Sequence, residues 1–357
     1  MNLPRPRSGL RDTTPYAAPQ LDVPVRLNTN ECPYPLPAGF GEDLAAAVRD
    51  LPLNRYPDRE AMALRTALAE RTGHPVAGIS VANGSNEVIQ LLLLAYGGPG
   101  RRVLLFQPTY GLHAGLAWIT RTEPVTVRLE PPFALTPDSV ASALAMAPDV
   151  IFVCSPNNPT GQARPLEVVE ELARASAALV IVDEAYIEFG GTSAAALLPR
   201  YPNIVVVRTF SKAFALAGGR IGYCLASPQV VDDLSRVRLP YHLSALAQAA
   251  GLTALRYAEE AAWILDAVRT ERDRILRVLG GIDGVTAFAS DANFVMFGLS
   301  RVAGEVWRAL LERGVLVRDV SAAVPGCLRV TAGRPDEVDA FLFALGDVLG
   351  DNDGGPT

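Results

Sequence analysis

Of the 32 basic residues in this 357-residue chain, 31 are arginine and one, Lys212, is lysine. A coding preference for arginine at exposed positions accounts for the scarcity. A lysine that remains under such a preference is a candidate for chemistry that arginine cannot do. A guanidinium stays protonated, whereas an amine can lose its proton and attack a carbonyl. Lys212 follows the apolar run Ile204–Val207 in the stretch Arg208-Thr209-Phe210-Ser211-Lys212, and Gly218-Gly219-Arg220 comes shortly after. Two further apolar runs also lead into reactive side chains. Val150–Cys154 precedes Ser155-Pro156-Asn157-Asn158-Pro159-Thr160-Gly161, and Leu179–Val182 precedes Asp183-Glu184-Ala185-Tyr186. An amide, a carboxylate, a phenol, a hydroxyl and an amine thus occupy equivalent positions. Upstream, Asn83-Gly84-Ser85-Asn86-Glu87 opens a helical pattern. A Gly-Ser turn at a helix N-terminus is a ready anion site, because its N–H groups have no partner inside the helix.

The elements that position these groups follow from periodicity. Apolar runs at 103–106, 125–129, 150–154, 179–182, 204–207 and 221–225 alternate with helical stretches at 85–96, 111–120, 165–177 and 228–237. Buried strands alternating with helices predict an α/β fold with a mostly parallel central sheet flanked by helices. Such sheets bind ligands beyond the carboxyl ends of their strands. The pattern changes near Tyr241. A long helical stretch at 244–279 is followed by strand-like pieces at 284–289, 293–298, 314–318 and 327–331 and helices at 302–312 and 336–348. This predicts an arm at 1–35, a large unit at 36–240, a smaller α+β domain at 241–350 and a disordered tail at 351–357. Within the large unit, the helical pattern from about 42 to 72 is interrupted by the turn Asn54-Arg55-Tyr56-Pro57-Asp58.

Composition narrows the function. The net charge of −6 argues against a nucleic-acid footprint, which needs a basic face. No apolar run is long enough to span a membrane, and the Arg- and Pro-containing N-terminus does not read as a signal peptide. Cys32, Cys154, Cys224 and Cys327 are scattered, with no zinc spacing and no disulfide framework, so no metal is expected and a reducing cytoplasm fits. There is no G-x-G-x-x-G and no P-loop.

An aldehyde with a phosphate arm and a pyridine nitrogen needs an amine, an anion cradle and a carboxylate, and that cofactor is pyridoxal 5′-phosphate. The segments SPNNPTG, DEAY and SKAFALAGGRIGY resemble those of class I/II aminotransferases of PLP fold type I. The resemblance is nearest to the histidinol-phosphate aminotransferase family. It runs through Thr14-Pro15-Tyr16, LNTNE at 27–31, RYPD at 55–58, NGSNE at 83–87, PTY at 108–110, VRD at 317–319 and LRVT at 328–331.

The resemblance implies the following roles. Lys212 holds the cofactor through its amine and shuttles the proton at the reacting carbon. Asp183 pairs with the pyridine nitrogen. Asn157 and Tyr186 bond the ring hydroxyl oxygen, and Tyr110 stacks on the ring. Gly84, Ser85, Asn86, Ser211 and Arg220 hold the phosphate. Tyr56 reaches the phosphate of the partner subunit's cofactor, which implies a homodimer with shared active sites. Arg318 and Arg329 receive the carboxylate of the amino donor and the phosphate of histidinol phosphate, with Tyr16 and Asn30 assisting. Two arginine forks suit a dianion.

The reaction implied is reversible amino transfer between L-histidinol phosphate and 2-oxoglutarate, giving imidazole acetol phosphate and glutamate. An aromatic aminotransferase and a threonine-phosphate decarboxylase are alternatives on the same fold. A non-catalytic regulator on this scaffold is a third, and the short stretch ahead of the first helix leaves no room for a winged helix. His242 is the one suggestion for the imidazole pocket. Cys32 stands where the family commonly has Asn, Gly219 where it has Leu, and Ala332-Gly333-Arg334 where Gly-Thr is usual.

Overall fold

The structure is a computed structural model that describes Pro4 and residues 19–350. Tyr16 and the tail at 351–357 lie outside the described residues. The chain opens with β1 (Val25–Arg26), α1 (Gly39–Arg49), α2 (Met62–Thr72), β2 (Ile79–Ala82), α3 (Ser85–Tyr96), β3 (Arg102–Gln107), α4 (Gly111–Ile119), β4 (Glu123–Arg128) and α5 (Pro137–Ala145). Next come β5 (Val150–Cys154), α6 (Leu166–Ala175), β6 (Leu179–Asp183), β7 (Ile204–Thr209), β8 (Gly222–Leu225) and α7 (Pro228–Val237). The remainder is α8 (Ala245–Arg256), α9 (Ala262–Leu279), β9 (Val285–Ala287), β10 (Phe294–Leu299), α10 (Ala303–Glu312), β11 (Val315–Leu316), β12 (Arg318–Asp319), β13 (Cys327–Thr331) and α11 (Pro335–Gly350).

A seven-stranded sheet of order β2-β8-β7-β6-β5-β3-β4 forms the centre. Pairing is parallel from β7 through β6, β5 and β3 to β4, while β8 runs antiparallel to both β7 and β2. β5 and β6 are buried along their whole length because helices cover both faces, which is why they read as unbroken apolar runs. Along β6, Val180 and Val182 enter one core layer, and Leu179 and Ile181 enter the other. Parallel register sets Cys154 beside Asp183 and Asp183 beside Val207, so reactive residues that follow these strands emerge at one edge.

The second sheet has the order β12-β13-β10-β9, and α9, α10 and α11 enclose its core around Phe294, Phe297 and Phe341. The arm joins this layer, because β1 pairs in parallel with β11, Val25 opposite Val315.

The structure differs from the periodicity in places. The pattern at 244–279 is two helices, α8 and α9, separated by a turn. The piece at 314–318 belongs to two different sheets as β11 and β12. β2 has only four residues, too short for its alternation to stand out, and is fixed by pairing with β8. Helix α5 is marked by a capping box in which Thr136 and Ser139 bond each other's backbone N–H.

Glu184, the residue after β6, and Arg208 on β7 form a buried brace. Arg208 Nε lies 3.0 Å from Glu184 Oε2 and its Nη2 donates to Ser193 Oγ at 2.7 Å. Ser193 Oγ in turn donates to Glu184 Oε2 at 2.8 Å, and the Ala194 N–H donates to Glu184 Oε1. Burial pushes the Glu184 carboxyl up and Arg208 pulls it back down. Arg208→Ala strands that carboxylate and is expected to destabilise the protein by about 3–5 kcal/mol in urea unfolding at neutral pH. The sign of its pH dependence follows from linkage. A carboxyl whose folded pKa is raised favours the fold at low pH and loses that advantage as pH rises, so the deficit should shrink toward about pH 5.

Candidate active site

Lys212 follows β7 and turns its amine under the arm. Nζ donates to the Thr29 carbonyl at 2.9 Å and lies 5.9 Å from the centre of the Tyr186 ring. Burial, then the nearby Arg329, with a smaller push from Arg220, lowers its pKa to about 8, although Glu31 pulls the other way. The amine is therefore partly uncharged near neutral pH, as a nucleophile and proton carrier requires.

Asp183 ends β6 and is buried. Its Oδ1 accepts the Ala185 N–H at 3.2 Å, and its Oδ2 lies 3.0 Å from His113 Nε2, which donates to it. His113 is fully buried on α4, stacked on Phe152 at 4.4 Å and 10°. It is not among the residues that the sequence motifs point to. Its signal was its position one helical turn after Tyr110, at the start of a helix that leaves the carboxyl edge. Tyr110 is the N-cap of α4 and meets His113 edge-on at 5.4 Å.

The phosphate cradle is visible in the backbone. Gly84 caps α3 with φ +84°, and a Cβ there would lie 2.6 Å from Arg220 Nη2. The guanidinium thus packs directly over a bare glycine at a helix N-terminus, beside Ser85 and Asn86. Arg220 Nη1 donates to Ser211 Oγ at 3.2 Å and to the Ala217 carbonyl at 3.2 Å. Arg220 itself is exposed and left-handed, with φ +51°. The departure at Gly219 has a local reason, since a Cβ there would meet Leu216 Cγ at 2.7 Å. An amine, a carboxylate on the neighbouring strand and an anion cradle at the same edge fit a phosphorylated pyridine aldehyde.

The SPNNPTG loop corrects one expectation. Asn157 Nδ2 donates to the Pro108 carbonyl at 3.0 Å and to Thr160 Oγ1 at 2.8 Å, and its Oδ1 accepts from Thr109 Oγ1 at 3.0 Å. Both amide hydrogens are spent on holding the loop. Its neighbour Asn158 faces the other site groups instead, with Nδ2 3.5 Å from the Tyr186 hydroxyl and Oδ1 accepting from Arg329 Nη1. Asp291 clamps the same loop, donating its N–H to the Gly161 carbonyl and accepting the Ala163 N–H on Oδ2, each at 2.8 Å.

Arg318 and Arg329 are direct cross-strand partners on β12 and β13, so their side chains leave the same face of the sheet. Arg329 is buried, with Nη2 donating to the Asn28 carbonyl at 2.9 Å and the guanidinium carbon 5.0 Å from the Phe294 ring centre. Asn30, expected to assist at the substrate phosphate, is engaged within the protein. It is 1% exposed, and its Nδ2 donates to the Tyr186 hydroxyl at 3.0 Å. His242 Nε2 is engaged by the Val81 carbonyl at 2.7 Å, which ties the ring to β2 and leaves the imidazole pocket unassigned. Tyr56 stands away from these groups, 79% exposed and stacked on Tyr241 at 4.3 Å and 12°.

Because the chain has one lysine, its amine can be titrated chemically without background from others. With the α-amino group blocked, reaction of the cofactor-free protein with an amine-directed acylating reagent should rise with a midpoint near pH 8. A midpoint near pH 10.5, the ordinary lysine value, would contradict this environment.

Residues 23–345 match the family described as aminotransferase class I and II. The histidinol-phosphate aminotransferase of Frankia casuarinae is 51% identical over 96% of this chain and 90% of its own length. That of Thermobifida fusca is 50% identical over 95% and 94% respectively. The solved structure of the histidinol-phosphate aminotransferase from Sinorhizobium meliloti in complex with pyridoxal-5′-phosphate superposes with a TM-score of 0.83 at 24% identity, covering 92% of each chain. The fold is therefore PLP fold type I, and the chain belongs to the class I and II aminotransferases.

Proposed function

We infer that this protein is a pyridoxal 5′-phosphate-dependent transaminase that moves the amino group between L-histidinol phosphate and 2-oxoglutarate, within histidine biosynthesis. The observation that carries this reading is the setting of Lys212. The only lysine of the chain has its amine pKa lowered toward neutrality, near the buried Arg329 and just past the strand that pairs with the one Asp183 ends. The name shared by relatives at 50% and 51% identity supports the substrate.

The cofactor, when bound, supplies an aldehyde carbon for the amine and a pyridine ring that takes up electron density from the reacting carbon. The protein supplies the rest. The N–H groups at the start of α3, with Ser85, Asn86, Ser211 and Arg220, hold its phosphate. Asp183, aligned by His113, keeps a proton on the pyridine nitrogen, and Tyr110 covers the ring. Tyr186 and Asn158 donate to the ring hydroxyl oxygen, the role expected of Asn157. Lys212 Nζ removes the proton from Cα of the amino donor and returns it on the other side of the transfer. Arg329 forks onto the carboxylate of glutamate, and Arg318 beside it adds the second cation that a phosphate dianion calls for.

The large unit at 36–240 would hold the cofactor and the unit at 241–350 would carry these arginines. The stacked, exposed Tyr56 and Tyr241 fit a homodimer in which Tyr56 reaches the site of the partner subunit. A cytoplasmic location fits four free cysteines. No helix among the described residues is long and apolar enough to cross a membrane.

The test is a side-by-side assay with 2-oxoglutarate and either L-histidinol phosphate or L-phenylalanine as donor, following glutamate. Strong preference for histidinol phosphate is expected, and preference for phenylalanine would overturn the substrate assignment. Lys212→Ala should reduce turnover by about 10²–10⁴-fold or more. Arg318→Ala should raise KM for histidinol phosphate by about 10–100-fold, the worth of one charged hydrogen-bonding group, while sparing glutamate. Equal losses for both donors would remove Arg318 from phosphate recognition.

A further inference from the structure

Three consecutive residues of the arm touch three groups of the candidate site. The Asn28 carbonyl accepts from Arg329, the Thr29 carbonyl accepts from Lys212, and the Asn30 amide donates to Tyr186. The first two contacts use backbone oxygens, which almost any residue supplies. The third depends on the side chain. We propose that Asn30 is a positioning residue that compels the Tyr186 hydroxyl to donate its hydrogen into the active site. The proposal deepens the transaminase reading and rests on it.

Asn30 is left-handed, with φ +56°, a conformation that asparagine tolerates better than most residues. Its N–H donates to Thr331 Oγ1 at 3.0 Å, and its carbonyl accepts from Asn293 Nδ2 at 3.0 Å. Both partners are buried, so the residue is pinned from two sides. Thr331 also decides which way the amide faces. One lone pair of its hydroxyl is taken by the Asn30 N–H, and its own hydrogen needs an acceptor. Asn30 Oδ1, 3.2 Å away, is that acceptor. Turning the amide over would place an NH₂ against the hydroxyl and leave its hydrogen without an acceptor among the described residues. Nδ2 is therefore the atom presented to Tyr186.

A phenolic hydrogen lies near the plane of its ring and has two orientations. With Asn30 Nδ2 donating into the oxygen at 3.0 Å, the hydrogen is excluded from that side. The weaker approach of Asn158 Nδ2, at 3.5 Å, also brings a donor and offers no acceptor. The hydrogen is left the orientation that turns away from Asn30. Burial holds the Tyr186 phenol up at about 12, so the hydrogen is present at any working pH. In the transaminase reading its acceptor is the ring hydroxyl oxygen of the cofactor. Donation to it would stabilise negative charge there and so lower the pH at which the cofactor-linked lysine nitrogen gives up its proton. Asn30 acts on this equilibrium through Tyr186, without touching the cofactor.

The test is the pH midpoint of the visible absorption band of the cofactor-loaded protein, measured alongside its dissociation constant for pyridoxal 5′-phosphate. Asn30→Ala frees the phenol to turn, and the midpoint should rise by about half to one pH unit. Asn30→Asp keeps the shape but converts the donor into an acceptor that draws the phenolic hydrogen away, and should raise it at least as far. In a Tyr186→Phe background, Asn30→Ala should move the midpoint no further, because the hydrogen it controls is gone. Thr331→Val, which removes the hydroxyl that orients the amide and leaves Asn30 in place, should give a smaller rise in the same direction. An unchanged midpoint in Asn30→Ala, or an equal shift with and without the Tyr186 hydroxyl, would overturn the proposal while leaving the transaminase reading intact. A parent protein that forms no cofactor band would overturn both.

Discussion

Keeping a single amine partly uncharged inside a basic neighbourhood is the constraint around which this molecule is organised. Burial does most to lower the Lys212 pKa, and the field of Arg329 and, less strongly, Arg220 adds to it. An ammonium there is poorly solvated and repelled, so the proton is loosely held. The same arginines are what an anionic cofactor arm and an anionic substrate require. Substrate binding and amine activation thus draw on one set of charges. The carbonyl of Thr29 takes one hydrogen of the amine and fixes its direction without supplying a counter-charge that would restore the ordinary pKa.

The sheet makes that arrangement affordable. Parallel pairing of β5, β6 and β7 fixes the spacing of Asn158, Asp183 and Lys212, because each ends or follows one of these hydrogen-bonded strands. The Glu184–Arg208 pair ties the end of β6 to β7. Asp291 and Asn293 lie just ahead of β10 and hold the SPNNPTG loop and the arm respectively. The site is therefore held from these strands and from the second sheet at its flank.

Much of this was legible in the sequence, for identifiable reasons. Fully buried strands betray themselves as apolar runs, so the residues that follow them could be placed at one edge before any coordinates. A lone lysine stands out by count. The glycine before α3 was readable because a helix start has a chemical signature. What could not be read were choices between neighbours and contacts across long separations. Asn157 and Asn158 are identical in type, and only the backbone decides that one serves the loop and the other the site. Asn30 was placed on the substrate phosphate because nothing local connects it to Tyr186, 156 residues away. The exposed stack of Tyr56 on Tyr241 depends on a left-handed Tyr241, a conformation that sequence patterns give no reason to expect.

The arm has a consequence for how the protein comes into being. Asn30 is bonded to Thr331, 301 residues further along the chain, and β1 is completed only by β11. Every residue of the anion cradle, and Lys212 itself, leaves the ribosome well before those partners do. A nascent chain can carry Gly84, Ser85, Lys212 and Arg220 while the arm that bonds Lys212 has no β11 to pair with. Closing so large a loop is slow and entropically costly. The covered active site is consequently a property of the released chain, and its last strand, β13, is among the final pieces of the protein to be synthesised.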